Sequence, residues 1–222
     1  MAHALRISGL ILLVLFLGWQ PALSADDAAL IQKILGGIEK RYAGKGFRAK
    51  FFQESMLKAM MISDTAEGRL IVKRPGKMRW EYLIPDEQTI MTDGKSMWIY
   101  RPADKQVMVG KAPEFFSGGK GAGFLSDIRQ IRKSFDVQLQ ASKSPDHFRL
   151  RLLPKSPTAD LADIILSVKR SDFLVEQVVT YNSYGDETRI EFSEYQFNQN
   201  PKDSLFTFII PDGIDVVQID QP

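Results

Sequence analysis

The apolar positions of this chain follow three different rhythms. Leu30, Ile31, Ile34, Leu35, Ile38 and Tyr42 recur three and four residues apart, which predicts an amphipathic helix with one apolar stripe. Asp26 and Asp27 suit its positive N-terminal end, and Gly44 and Gly46 provide the stop. From Phe47 onward the period becomes two. Phe47 to Phe51, Met78 to Tyr82, Phe148 to Leu152, Thr188 to Phe192 and Phe206 to Phe208 all alternate apolar with polar. Shorter apolar runs lie between them, separated by turn formers such as Arg74-Pro75-Gly76, Pro85-Asp86, Asp93-Gly94 and Ser144-Pro145-Asp146. The pattern predicts a mainly antiparallel α+β domain of about eleven short strands, in one sheet, a sandwich or a barrel. Because one face alternates to polar, a single sheet curled around an apolar interior fits well.

The third rhythm interrupts the second. Phe115 and Phe116 precede Ser117-Gly118-Gly119-Lys120-Gly121-Ala122-Gly123, a stretch that cannot hold a strand and reads as a hinge. Phe124, Leu125, Ile128 and Ile131 then fall at helical spacing, with Arg129, Arg132 and Lys133 expected to face away. A short amphipathic helix on a glycine-rich tether has the form of a movable cover, or else of a simple crossover helix after a loop.

The first residues change where this domain is expected to work. Arg6, the apolar run Ile7 to Leu17 and the small residues of Ala22-Leu23-Ser24 predict an export signal over residues 1–24, cleaved near Ser24 and Ala25. That run is shorter than the roughly 20 residues a membrane-spanning helix needs. Residues 25–222 are then expected to form one exported, soluble domain. The chain has no cysteine, which excludes thiolate catalysis, cysteine-ligated metal and disulfides. A net charge of only +2 gives no basic excess for nucleic acid.

Catalytic chemistry finds little support. With the signal removed His147 is the one histidine, beside a turn and expected to be an exposed bystander, so multi-histidine metal sites are excluded. The carboxylates show no pair singled out by spacing for glycoside hydrolysis. The glycine run at 118–123 lacks the G-x-x-x-x-G-K-[ST] spacing of a phosphate loop. What stands out instead is flexible apolar bulk: Met56, Met60, Met61, Met78, Met91, Met97 and Met108, with Trp80 and Trp98 among them. Thioether side chains adapt to irregular greasy surfaces and are over-used where varied apolar ligands must be accepted. No cofactor is expected.

Three segments resemble one family. Val72 to Tyr82 (VKRPGKMRWEY) is similar to a hairpin of the outer-membrane lipoprotein carrier (LolA) family, Asp93 to Pro102 (DGKSMWIYRP) to its next hairpin, and Phe206 to Val216 (FTFIIPDGIDV) to its terminus. The resemblance runs in order over essentially all of residues 25–222. It implies an open half-barrel of about eleven antiparallel strands whose apolar concave face is covered by short helices. It further implies a monomeric, non-enzymatic carrier that takes triacylated lipoproteins from an ABC-type release complex of the inner membrane to an outer-membrane acceptor. By the same resemblance Arg74 would latch the lid through backbone carbonyls. Met78, Trp80, Met91, Trp98, Phe115, Phe116, Phe124, Leu125 and Ile128 would line the acyl-chain cavity. The absence of cysteine favours the soluble carrier over the family's lipid-anchored relative. The alternatives are a periplasmic lipoprotein-sensing regulator on the same fold, and an enzyme with a carboxylate pair in the cavity.

Overall fold

The computed structural model describes residues 25–112 and 123–219. The expected signal (1–24) and the hinge with Phe115 and Phe116 lie outside the described residues. Helix α1 spans Ala25–Arg41, with Asp26 and Asp27 in its first turn and Lys40 and Arg41 in its last. Both placements complement the helix dipole. Its apolar stripe, Ile31, Ile34, Leu35 and Ile38, is buried.

The strands are β1 (Gly46–Leu57), β2 (Ile62–Lys73), β3 (Lys77–Ile84), β4 (Gln88–Thr92), β5 (Ser96–Arg101) and β6 (Gln106–Lys111). Helix α2 (Gln130–Ser134) follows, and then β7 (Phe135–Gln140), β8 (His147–Pro154), β9 (Asp163–Lys169), β10 (Val175–Tyr181), β11 (Glu187–Gln196) and β12 (Asp215–Gln218). They form one twelve-stranded sheet in the order β12-β6-β5-β4-β3-β2-β1-β11-β10-β9-β8-β7. Every pairing is antiparallel except β12 on β6. The end strands β12 and β7 do not pair with each other, so the sheet is an open half-barrel.

Register decides which side chains share a face, because directly paired residues point the same way and neighbours along a strand point oppositely. On the concave side one row runs Ala49, Leu70, Trp80, Ile90, Ile99 and Met108. The other half of the same face presents Phe192 and Ile190 on β11, then Val178, Leu166, Leu150 and Leu139 across β10 to β7. Helix α1 lies on this face. Its C-terminal end is pinned where Val175 N–H donates to Tyr42 Oη (3.2 Å), Tyr42 Oη to Tyr195 Oη (3.2 Å) and Tyr195 Oη to the Val175 carbonyl (2.7 Å). Burial pushes Tyr42 up to about 12 and Tyr195 well above the usual tyrosine range.

Two expected elements differ. The alternation at Phe206 to Phe208 is not a strand: Asp203–Phe206 is a single 3-10 turn, followed by unpaired extended chain. This segment lies flat against the convex face, with Phe206 buried, Phe208 5.2 Å from the Tyr100 ring, and Arg79 donating to the Leu205 carbonyl at 3.4 Å. Contact with a sheet face on one side produces period two just as a ladder does. The expected helix through Phe124 and Ile131 is a 3-10 turn at 123–126 and then the short α2. All four apolar residues are nevertheless buried.

Candidate functional site

The apolar site grows out of the concave face near β1, β2 and β3. Phe51 sits between Trp80 (4.8 Å between rings) and Tyr82 (5.0 Å). Gly68 makes this possible, since a Cβ there would stand 2.7 Å from the Phe51 ring and 1.9 Å from the Glu81 carbonyl oxygen. The Trp80 indole N–H points at Met78 Sδ, 2.8 Å away. The expected cover belongs to the same apolar body. Phe124, Leu125, Ile128 and Ile131 join Met78, Trp80 and the α1 stripe in one buried cluster.

Five of the expected cavity residues, Met78, Trp80, Phe124, Leu125 and Ile128, are thus brought together. Met91 and Trp98 are not. Met91 pairs with Arg79 and with Trp98, and these residues stand on the opposite face from Trp80 and its partner Ile90. Met91 is buried there beneath the Arg79 guanidinium, whose Nη1 lies 3.5 Å from its sulfur. Met56, Met60 and Met61 are also away from the hollow, exposed around the tip of the β1–β2 hairpin. Sequence reasoning overlooked Tyr82, Phe51, Met97 and Ile99 as concave residues. Their register partners on the face, not their composition, reveal them.

The basic run Lys73-Arg74-Lys77-Arg79 divides between faces. Lys73 and Lys77 hold Asp203 on the convex side (3.0 and 2.6 Å), and Arg79 pairs with Glu81 at 2.7 Å. Arg74 follows the concave residue Val72 by two positions, just beyond β2. Its Nε and Nη2 are buried, without an acceptor among the described residues. Burial pulls its pKa down, and the Asp127 carboxylate in the cover partly offsets this. Burial would raise Asp127 in turn, but hydrogen bonds from the Arg129 side chain and backbone bring it below the usual carboxylate range. The cover is further tied to α1, because Arg132 donates to Glu39 (2.5 Å) and to Gln32. Arg132 therefore does not face away as its helical position suggested.

His147 is not an exposed bystander either. Its Nε2 is 2.7 Å from Glu176 Oε2 and its Nδ1 3.1 Å from Ser144 Oγ. These residues line a recess of about 480 Å³. Ser144 Oγ also accepts the Asp146 N–H at 3.3 Å, so it caps its own turn, and that role accounts for the contact. No group of three or more His, Asp or Glu residues suited to a metal ion occurs among the described residues.

A second recess, of about 840 Å³, opens at the β1–β2 hairpin end of the concave face. Its lining mixes the apolar Ala66, Ile84 and Pro85 with polar side chains that include Gln53, Ser55, Asp64 and Gln88. The Tyr82 hydroxyl donates to Gln53 Oε1 at 3.1 Å.

Known proteins resemble this chain in sequence and in fold. The Outer-membrane lipoprotein carrier protein of Chromobacterium violaceum is 36% identical over 157 residues, spanning 71% of this chain and 74% of that protein. The protein of the same name from Hahella chejuensis is 29% identical over 175 residues, 78% of this chain and 81% of that protein. Among solved structures, an uncharacterized conserved protein from Thermus thermophilus has the same fold, with a TM-score of 0.56 at 15% identity over 86% of this chain and 99% of that one. The family model described as Outer membrane lipoprotein carrier protein LolA matches residues 43–209, from the end of α1 to the extended segment on the convex face, and the chain therefore belongs to that family.

Proposed function

We propose that this protein shelters the acyl chains of lipoproteins against its concave face and ferries them through the periplasm from the inner to the outer membrane. The observation that carries this reading is the identity of the side chains over the hollow. Phe124, Leu125 and Ile128 belong to a short segment with few backbone bonds to the sheet, yet they are buried in the same apolar cluster as Met78 and Trp80. They stand where hydrocarbon would lie.

The exchange is then apolar for apolar. Each buried side chain of this size contributes about 1.5–3 kcal/mol, and a long acyl chain contributes about 0.8 kcal/mol per methylene. Lifting the cover is offset by the arriving chain, and the difference is small enough for release. Three fully buried chains would exceed the roughly 20 kcal/mol at which non-covalent affinities saturate, so the hollow covers them loosely. In this reading Arg74 holds the cover shut. A guanidinium whose Nε and Nη2 are buried with no acceptor among the described residues, and which the Asp127 carboxylate attracts, is disposed to bind carbonyl oxygens of the cover. An ABC-type release complex and an outer-membrane acceptor would be its partners, with the protein acting as a monomer without enzymatic activity.

Native mass spectrometry of the protein purified from periplasm without detergent tests the reading. A bound triacylated polypeptide is the expected result. Preparations that never carry acylated polypeptide, even when purified from cells overproducing a lipoprotein, overturn it.

A further inference from the structure

The concave face changes polarity along the strands. Phe47, Val72 and Met78 form the row nearest Arg74; Ala49, Leu70 and Trp80 form the next; then come Phe51, Gly68 and Tyr82. Two residues further the row is Gln53 and Ala66, with the apolar Ile190 beside Gln53 on β11, and after another two it is Ser55 and Asp64, with Thr188 beside Ser55. Each step is about 7 Å along a strand, so greasy floor gives way to polar floor within about 14 Å. An amphiphile laid along this face satisfies both zones in one orientation, with its tails toward Arg74 and its polar end toward the hairpin.

The polar zone is roomy. The recess of about 840 Å³ lies within the range, about 300–1,000 Å³, of pockets that receive drug-sized ligands. It also carries a sign. Asp64, Asp86, Glu87 and Asp104 line it together with Arg101. Arg101 is engaged at the rim by Gln88 (3.1 Å) and Asp104 (4.0 Å). Asp64, Asp86 and Glu87 are exposed, and Arg101 is the one basic side chain among the lining residues.

We propose that this recess receives the first residues of the cargo polypeptide, adjoining its lipidated end, and that it favours basic residues there over acidic ones. The inference rests on the carrier reading and fixes how cargo lies and which sequences it prefers.

The test uses three synthetic triacylated cysteinyl peptides that differ only in the four residues after the cysteine: four lysines, four serines or four glutamates. Binding is followed by displacement of a fluorescent fatty acid from the full protein. The lysine peptide should bind roughly five- to tenfold tighter than the glutamate peptide at low ionic strength, with the gap closing as salt is added. A triple variant, Asp64→Asn with Asp86→Asn and Glu87→Gln, should lose the preference and keep wild-type affinity for the serine peptide. A benzophenone on the second residue of the peptide should crosslink to the recess. Equal binding of all three peptides, a preference that survives the triple variant, or crosslinks at the Arg74 end overturn the orientation and the charge selection while leaving the carrier intact. If no triacylated peptide binds, the carrier reading falls and this inference falls with it.

Discussion

The two halves of the concave face are built from different materials. Across β7 to β10 the floor is aliphatic: Leu139, Leu150, Leu152, Ile164, Leu166, Val168 and Val178, most of them fully buried beneath a seventeen-residue helix. Across β3 to β6 it is Met78, Trp80, Tyr82, Ile90, Met97, Ile99 and Met108, with Thr92 among them. Branched aliphatic side chains have few rotamers and interlock, whereas thioethers and rings slide to fit what arrives. The first half is covered by an element pinned through Tyr42 and Tyr195, whereas Met97 and Ile99 of the second half form a separate small cluster with Ala112 that includes no residue of α1 or of the cover. In the proposed function, holding the fold together and yielding to a ligand would fall to different halves of one sheet.

Cavity-creating substitutions give the largest test of that division. Leu150→Ala, at a position with no exposure, should cost about 3–5 kcal/mol in urea denaturation, because rigid neighbours collapse poorly into the space. Met97→Ala, equally buried but among adaptable neighbours, should cost about 2 kcal/mol. Equal costs would break the comparison.

Titration separates the halves by a smaller amount. Tyr42 under α1 and Tyr82 on the adaptable side are both pushed up to about 12 from 10.0, each mainly by burial. The raised pKa means the folded state holds the phenolic proton more tightly than the unfolded chain. The associated stability is complete below pH 10 and drains away as pH rises toward 12. For a shift of this size the loss is about 2–3 kcal/mol per tyrosine. Tyr42→Phe should flatten alkaline unfolding of α1, followed by hydrogen exchange at residues 31–41. Tyr82→Phe should leave α1 unchanged and flatten the response of Trp80 fluorescence.

Much of this was legible in the sequence, for a physical reason. The α1 stripe and the alternation of β1, β3, β8 and β11 are local periodicities, and local periodicity survives folding. Facing is different. Within a strand, parity fixes which side chains share a face, but each turn resets it. Trp80 pairs with Ile90 and not Met91, so two residues that looked equivalent from composition lie on opposite sides of the sheet. Nor does the spacing of Phe124, Leu125, Ile128 and Ile131 distinguish one helix from a 3-10 turn followed by another helix, since both bury the same four residues. Arg74 was legible through resemblance alone, because nothing local to a strand end marks a guanidinium as buried.

Arg74 also supplies the smallest expected change in stability and the most specific change in behaviour. Its buried N–H groups without acceptors among the described residues cost the closed protein desolvation, while its attraction to Asp127 favours closure, and the two oppose one another. Arg74→Leu removes both at once, so global stability should move by no more than about 1 kcal/mol. In the proposed mechanism, however, the cover then loses its tether. Hydrogen exchange at residues 124–131 should accelerate, and onward delivery of a bound lipoprotein to outer-membrane vesicles should slow, because an opened hollow keeps hydrocarbon that the closing cover would otherwise displace. Arg74→Lys keeps the charge but not the fork of donors and should fall between the two. Acceleration at 124–131 with α1 unaffected would place the movable part in the cover alone. Unchanged exchange together with wild-type delivery would show that Arg74 does no more than end β2, and that the cover is held by Arg132, Glu39 and its apolar contacts.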